Sequence, residues 1–233
     1  PMPCINVREG EGVVIVYDLD QCGAPDTGAG GKLVLSNISE VSWEDQIDDG
    51  DDVTERAFGG RKCYTDKGQP EISSVNLSLT SCGINPALDS FLMGSTLYTN
   101  AGDVVGFGRV DLSSTSNVAI EVLLKLDADA CSGGGTAPVA GWFFPLVKNW
   151  KPDGGTTLNG SDLVKPKYTG GGYKNPNIFT GNPSDLSRWN AIFTEGTSAT
   201  TDPAAQWYGF NIFYNITTLP TADCEPVNFA AAS

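Results

Sequence analysis

Apolar residues recur at every second position in segment after segment of this chain, and at the three-and-four spacing of a helix clearly only once, so most of the molecule must be built from strands. The longest alternation places Val118, Ile120, Val122, Leu124 and Leu126 on one side, with Glu121 and Lys125 on the other, which describes a half-buried strand. Another places Tyr208, Phe210, Ile212, Tyr214 and Ile216 opposite Trp207, Asn211, Phe213 and Asn215; aromatics on both faces predict cover on both faces. Val13 to Tyr17 is a short β-branched run that predicts a buried strand ahead of a loop from Asp20 to Gly31. Leu33, Leu35, Val41 and Trp43 predict one long or bent strand, and Val75, Leu77 and Leu79 a further one. The run from Trp142 to Val147 is extended and aromatic, and Trp150 continues its character. Pro145 within it cannot donate a ladder hydrogen bond, which puts it at a sheet edge or a bulge.

The one helix is punctuated at both ends. Asn85 is placed to cap it, Pro86 suits its first turn, Leu88, Phe91 and Leu92 share a face, and Gly94 stops it. With 28 glycines, 14 prolines and 40% hydrophobic residues, the composition agrees with many short strands joined by turns. A chain of 233 residues buries roughly 70% of its unfolded surface as one domain, so residues 1–233 are expected to share a core without metals or staples. Residues 151–203, rich in Gly, Asn, Pro and Thr, read as a loop-rich insertion with brief strands at Leu163–Lys167 and Ile192–Thr194. The tail over 220–233 carries little pattern and is expected to be mobile or held by another subunit.

Several chemistries are excluded by residue type. The chain contains no histidine, which removes Ser-His-Asp and Cys-His catalysis and leaves zinc almost nothing to use. No phosphate-cradling G-x-x-x-x-G-K-[ST] sequence occurs, so no nucleotide cofactor is expected. The six cysteines form no C-x-x-C pair; six allow 15 pairings, and buried free thiols are preferred over three disulfides. Glu44, Asp45, Asp48, Asp49, Asp51 and Asp52 crowd around Gly50, and self-repulsion predicts an exposed, mobile loop there. Aligning Gly50 with the sixth place of a calcium loop puts Ile47 and Arg56 at ligand places, so no metal is assigned. Four N-x-[ST] sequons, at Asn37, Asn76, Asn159 and Asn215, are read as accidental.

The formal net charge of −14 argues against wrapping a nucleic acid, which needs Lys and Arg to displace counterions, and is compatible equally with a surface that must stay soluble at high concentration and with a passage along which DNA slides without sticking. No run of eighteen apolar residues is present, so no membrane span is expected, and the first residues lack the basic-then-apolar pattern of a signal peptide. The aromatics Trp142, Phe143, Phe144, Trp150, Trp189, Trp207 and Tyr208 leave two readings open: a sugar platform, or core and subunit contacts, with the second preferred. Paired carboxylates of a glycosidase come third, because 28 acidic residues leave too many combinations.

Taken in order, Lys32 to Asp52, Gly59 to Cys63, the strand-helix unit from Glu71 through Asn85-Pro86-Ala87-Leu88-Asp89-Ser90-Phe91-Leu92-Met93-Gly94, Val118 to Leu126, and Gly141 to Trp150 resemble the major tail (tail tube) proteins of long noncontractile-tailed bacteriophages, particularly those of actinobacteria. The resembling parts touch somewhat over half the chain, and their order carries the weight. The resemblance implies a mainly β, sandwich or barrel-like fold with a short flanking helix near 85–94. It implies a structural protein, not an enzyme and without cofactors, that assembles with itself as hexameric rings stacked into a hollow tube in the virion tail, built in the host cytoplasm. Its partners would be tape-measure, terminator and baseplate or tip proteins, with genomic DNA passing through the lumen unbound. On that reading Glu44, Asp45, Asp48, Asp49, Asp51 and Asp52 form an inter-subunit or lumenal acidic loop that reaches a neighbour between Glu44 and Gly60. Trp142, Phe144, Trp207 and Tyr208 are subunit-contact aromatics, and edge strands near Trp142 or Tyr208 continue a sheet across subunits. The rivals are a secreted carbohydrate-binding β-sandwich and another phage part such as a tail terminator or decoration protein.

Overall fold

The computed structural model describes residues 12–28, 30–51, 53–56, 58, 60–101, 103–108, 116–125, 139–154, 164–179, 209–214 and 220. In chain order the elements are β1 (Gly12–Leu19), β2 (Lys32–Leu35), β3 (Ile38–Asp48), β4 (Val53–Arg56), β5 (Lys62–Asp66), β6 (Glu71–Ser81), α1 (Pro86–Met93), β7 (Thr96–Asn100), β8 (Asp103–Gly108), β9 (Asn117–Lys125), β10 (Val139–Pro152), β11 (Lys167–Gly172) and β12 (Phe210–Tyr214). The protein is mainly β, and every pairing among these strands is antiparallel. The principal sheet runs β2-β1-β9-β10-β11-β6-β3, with β12 on the first half of β10; β4–β5 and β7–β8 are separate two-stranded ribbons.

Strand β10 organises the sheet. One edge pairs with β9 from Val139 to Val147, while the other pairs first with β12 (Val139–Phe143) and then with β11 (Val147–Pro152). Pro145 falls where the β9 register slips, between Phe144 and Val147, so the missing donor is accommodated by a bulge inside the sheet. The expectation that the strand near Trp142 is an edge is therefore corrected: β10 is paired on both sides. A second slip against β11, between Lys148 and Lys151, contains Asn149 with φ 59°. These bends curl the sheet. Trp43 on β3 lies three strands from β10 in the sheet order, about 14 Å on a flat sheet, yet its ring centroid is 5.9 Å from Trp142 and 5.6 Å from Phe144.

The concave face holds Val14, Val16, Leu33, Leu35, Val75, Leu77, Leu79, Val118, Ile120, Val122, Phe144, Val147 and Trp150, closed by Leu88, Leu92 and Met93 of α1. The helix is built as its sequence implies: Asn85 accepts from the Leu88 N–H at 3.1 Å, Pro86 opens it, and Gly94 adopts φ 64° at its end. Asp89, fully buried, accepts from the Tyr168 hydroxyl at 3.0 Å and from Ser95, which ties α1 to β11. The convex face of β2-β1-β9-β10 carries a second apolar layer of Val13, Ile15, Tyr17, Leu19, Val34, Ala119, Leu123, Val139 and Phe143, with Ile178 packed over it. Asn175 fixes that cover by donating to the carbonyls of Gly23 at 2.8 Å and Pro145 at 2.9 Å.

Four expectations are revised. Strand β9 is buried on both faces, because Tyr17 donates to Glu121 at 2.7 Å and lets that carboxylate sit fully inside. Leu33–Leu35 and Val41–Trp43 belong not to one bent strand but to β2 and β3, at opposite ends of the sheet order. The strand expected at 163–167 lies at Lys167–Gly172 and fills the middle of the sheet; Gly170 is needed there, since a Cβ would come within 2.8 Å of the Trp150 indole. Cys22 and Cys82 are free thiols as expected, but exposed, not buried. Leu126, Leu163, Ile192–Thr194, Trp189 and the tail beyond 220 lie outside the described residues.

One carboxylate carries a pH signature. Burial, then the nearby Asp26 charge, raises the Asp18 carboxyl above its usual range, against a backbone hydrogen bond from Leu19. A folded-state pKa raised above the unfolded value means the native state holds the proton longer, so this group's contribution falls as pH climbs from about 3.8 through the raised value and is flat beyond. Asp18→Asn is expected to raise the melting temperature at pH 7 and to match the parent near pH 3, in paired thermal melts across that range.

Candidate functional site

The acidic segment is strand as far as Asp48, while Asp49 and Asp51 lie in an exposed connection, as expected of them. Glu44 to Asp48 continue β3, pairing Glu44 with Asn76, Asp45 with Val75, Gln46 with Ser74, Ile47 with Ile72 and Asp48 with Glu71. The neighbouring strand β11 ends at Gly172, opposite Val75, so the pairs from Gln46 onward project past the sheet as a two-stranded arm. Two serines set its register. Ser73 and Ser39 are each the extra residue at a slip in the β3–β6 ladder, and each hydroxyl donates across at 3.1 Å, Ser73 to the Gln46 carbonyl and Ser39 to that of Thr80.

Residues directly opposite in a ladder share a face. Val41, Trp43, Asp45 and Ile47 therefore line the face that Leu79, Leu77, Val75 and Ile72 complete. At the root this face is core; along the arm it is open, with Ile47 at 64% and Ile72 at 43% exposure. The bulge at Ser73 keeps Ile72 on this face, opposite Ile47. The reverse face is polar, and its last pair, Asp48 against Glu71, sets like charges opposite one another.

Beyond Asp48 the strands cross at two glycines. Gly50 has φ 70° and its N–H reaches Asp48 Oδ1 at 3.2 Å; a Cβ on Gly68 would lie 2.6 Å from the Gly50 carbonyl carbon. The arm then continues as the β4–β5 ribbon, pairing Val53 with Asp66 and Glu55 with Tyr64. At its turn Arg56 donates to the Gly60 carbonyl at 3.1 Å, Tyr64 is half exposed, and Phe58 stands fully in solvent at 110% of its reference exposure. Asp49 and Asp51 sit at the crossing, exposed; Asp52 lies outside the described residues.

A second ribbon, β7–β8, was not foreseen. Its strands are joined across Asn100 and Asp103, with Ala101 at φ 54° in the turn, and Tyr98 lies over Gly106 and Gly108 of the opposite strand. Tyr98, Val104 and Val105 are all exposed. The signal that could have found it was Asn100-Ala101-Gly102-Asp103 between two short β-rich runs.

The expected contact aromatics divide. Phe144 is buried in the concave core and Trp142 is partly buried against it, each meeting Trp43. Trp207 and Tyr208 lie outside the described residues; β12, which follows them, pairs with β10. Trp43, not singled out by the alternation as a contact residue, borders a cavity of about 490 Å³ between β1, β2, β3, β9 and β10, with Val41, Val122, Leu124, Trp142 and Glu40 among its walls. Among the described residues no three Asp, Glu or Cys side chains converge as a metal site. No protein-family model matches this sequence, and no curated protein matches it significantly.

The glycine crossing gives a direct test of the arm. Gly68→Val is expected to displace the Gly50 backbone and to erase amide-exchange protection over residues 62–66, while β9 and β10 keep theirs, as read by exchange mass spectrometry.

Proposed function

We propose that this chain is a structural subunit that polymerises through its projecting ribbons, as the tail tube protein of a long noncontractile-tailed phage. The supporting observation is the arm: an extension of β3 and β6 that leaves the sheet with Trp43, Ile47 and Ile72 open on one face and ends in exposed Tyr64 and Phe58. An isolated two-stranded ribbon is marginal in water, because it has no second layer to bury its apolar face. A chain that extends about 30 residues this way, from Glu44 to Ser74, gains stability once another surface covers them.

The subunits would form rings, hexameric by the resemblance, that stack into a hollow tube with tape-measure, terminator and tip proteins as neighbours. With −14 per chain, acidic side chains facing the lumen would repel DNA phosphates and let the genome pass without sticking. No catalytic residue or cofactor is part of this reading. It differs from the earlier expectation in one physical respect: the acidic residues from Glu44 to Asp48 are fixed along a strand, so their charge is presented in register instead of on a mobile loop.

A carbohydrate-binding module is less well supported. A sugar platform is flattest where aromatic rings lie side by side in one plane, whereas the exposed Trp43 ring is tilted 43° against Trp142 and also packs on Phe144.

The experiment is electron microscopy of concentrated protein beside an arm-less variant. Asp48 and Glu71 are directly opposed, so residues 49–70 can be replaced by Asn-Gly as a two-residue hairpin turn. The parent is expected to form rings or hollow tubes, and the variant to remain a folded, unassembled chain with the parent's circular dichroism. A parent that stays monomeric at every concentration and salt level would remove the proposal.

A further inference from the structure

The arm tip and the cavity beside Trp43 are complementary, and we propose that Phe58, with the cations around it, inserts into that cavity on a second copy of this chain. This rests on the self-assembly reading above and names the two surfaces that meet.

Charge singles out the tip. Over residues 55–67 the cations Arg56, Arg61, Lys62 and Lys67 outnumber the acids Glu55 and Asp66, in a chain that carries −14 overall, while the arm's waist holds Glu44, Asp45, Asp48, Asp49, Asp51 and Glu71. The receiving site is acidic and apolar together. The acid on its face is Asp45, exposed two residues on from Trp43, at the start of the acidic waist that leads away from the cavity. Inside, Val41, Trp43, Leu124 and Trp142 offer an aromatic ring a wall of its own kind, in a space of the size that commonly receives small ligands.

The occupant has to come from another copy. Strand β3 forms the cavity wall at Trp43 and then carries the arm outward for five residues, roughly 17 Å at strand rise, before the glycine crossing. Strands β4 and β5 pack chiefly on each other. Tip-into-cavity is a heterologous contact, using different surfaces on the two copies, so a pair keeps one unused tip and one unused cavity, and growth does not close after a single pairing. The open face from Trp43 to Ile47 and Ile72 leads out of the cavity and would bed the incoming ribbon.

The test uses two full-length variants altered only at surface positions. A tip variant carries Phe58→Asp with Lys62→Glu; a cavity variant carries Ser36→Arg in the wall and Asp45→Lys beside Trp43, both at exposed positions. Sedimentation velocity is expected to show that neither variant elongates alone. Their equimolar mixture should stop at twice the mass of the unassembled unit, whether that unit is a chain or a ring, because only one intact tip–cavity pair can form. That complementation also shows both variants to be folded. A parent that never assembles removes the self-assembly reading itself. A parent that assembles while either variant elongates normally, or while the two fail to pair on mixing, leaves that reading standing and overturns the tip–cavity contact.

Discussion

The geometry of the molecule depends on one strand being unable to run straight. Over its 14 residues β10 serves β9 along one edge and two successive partners along the other, and it twice inserts an extra residue. The first bulge follows from Pro145, which has no N–H to give. The second contains Asn149 in a left-handed conformation, next to Trp150, whose indole turns inward over Gly170. Each bulge adds local twist and bend, and together they bring the far edge of the sheet round until Trp43 meets Trp142 and Phe144.

A sheet buried on both sides has to place its polar groups inside without orphaning them. Glu121 takes the Tyr17 hydroxyl on the convex face, Asp89 takes Tyr168 and Ser95 beneath the helix, and Asn175 bridges two backbone carbonyls from different segments. Each joins elements distant in sequence: β1 to β9, α1 to β11, and the Gly23 turn to β10. Losing one partner of such a buried set strands the other, at about 1–3 kcal/mol, so these contacts fix which apolar surfaces face each other. A purely apolar interior would leave that choice looser.

What was legible in the sequence is what a side-chain period encodes. Strands β6 and β9 and the capped helix declare themselves through alternation, Asn85-Pro86 and Gly94, and they form where expected. Three glycines hid β11, because its place in the sheet depends on room for the Trp150 and Tyr173 rings and not on its own propensity. The burial of Glu121 depended on a hydroxyl 104 residues away. The acidic segment looked like a loop because like charges disfavour a strand. As far as Asp48 it is a strand because Trp43, Ile47 and Ile72 alternate in phase and two serine hydroxyls secure the slips in register, a pattern visible only once β3 and β6 are paired. The cavity involves both ends of the sheet order and could not be read from either end alone.

The arm is therefore best understood as a compromise between two requirements. Its apolar face needs cover, which favours association, while its waist sets Asp48 against Glu71 with Asp45, Asp49 and Asp51 nearby, which discourages one waist from lying on another. Edge strands invite indiscriminate pairing, and charge along an exposed ribbon is a common way of preventing it. In the proposed assembly the cations at the tip convert that deterrent into selectivity: waist against waist is repulsive, tip against waist or cavity rim is attractive, and only an ordered head-to-tail arrangement satisfies both the charges and the exposed rings. Since such surface charges are screened over about 8–10 Å at 0.1–0.15 M salt, their effect is to choose among encounters, and the burial of Phe58, Trp43 and Ile47 would hold the chosen one.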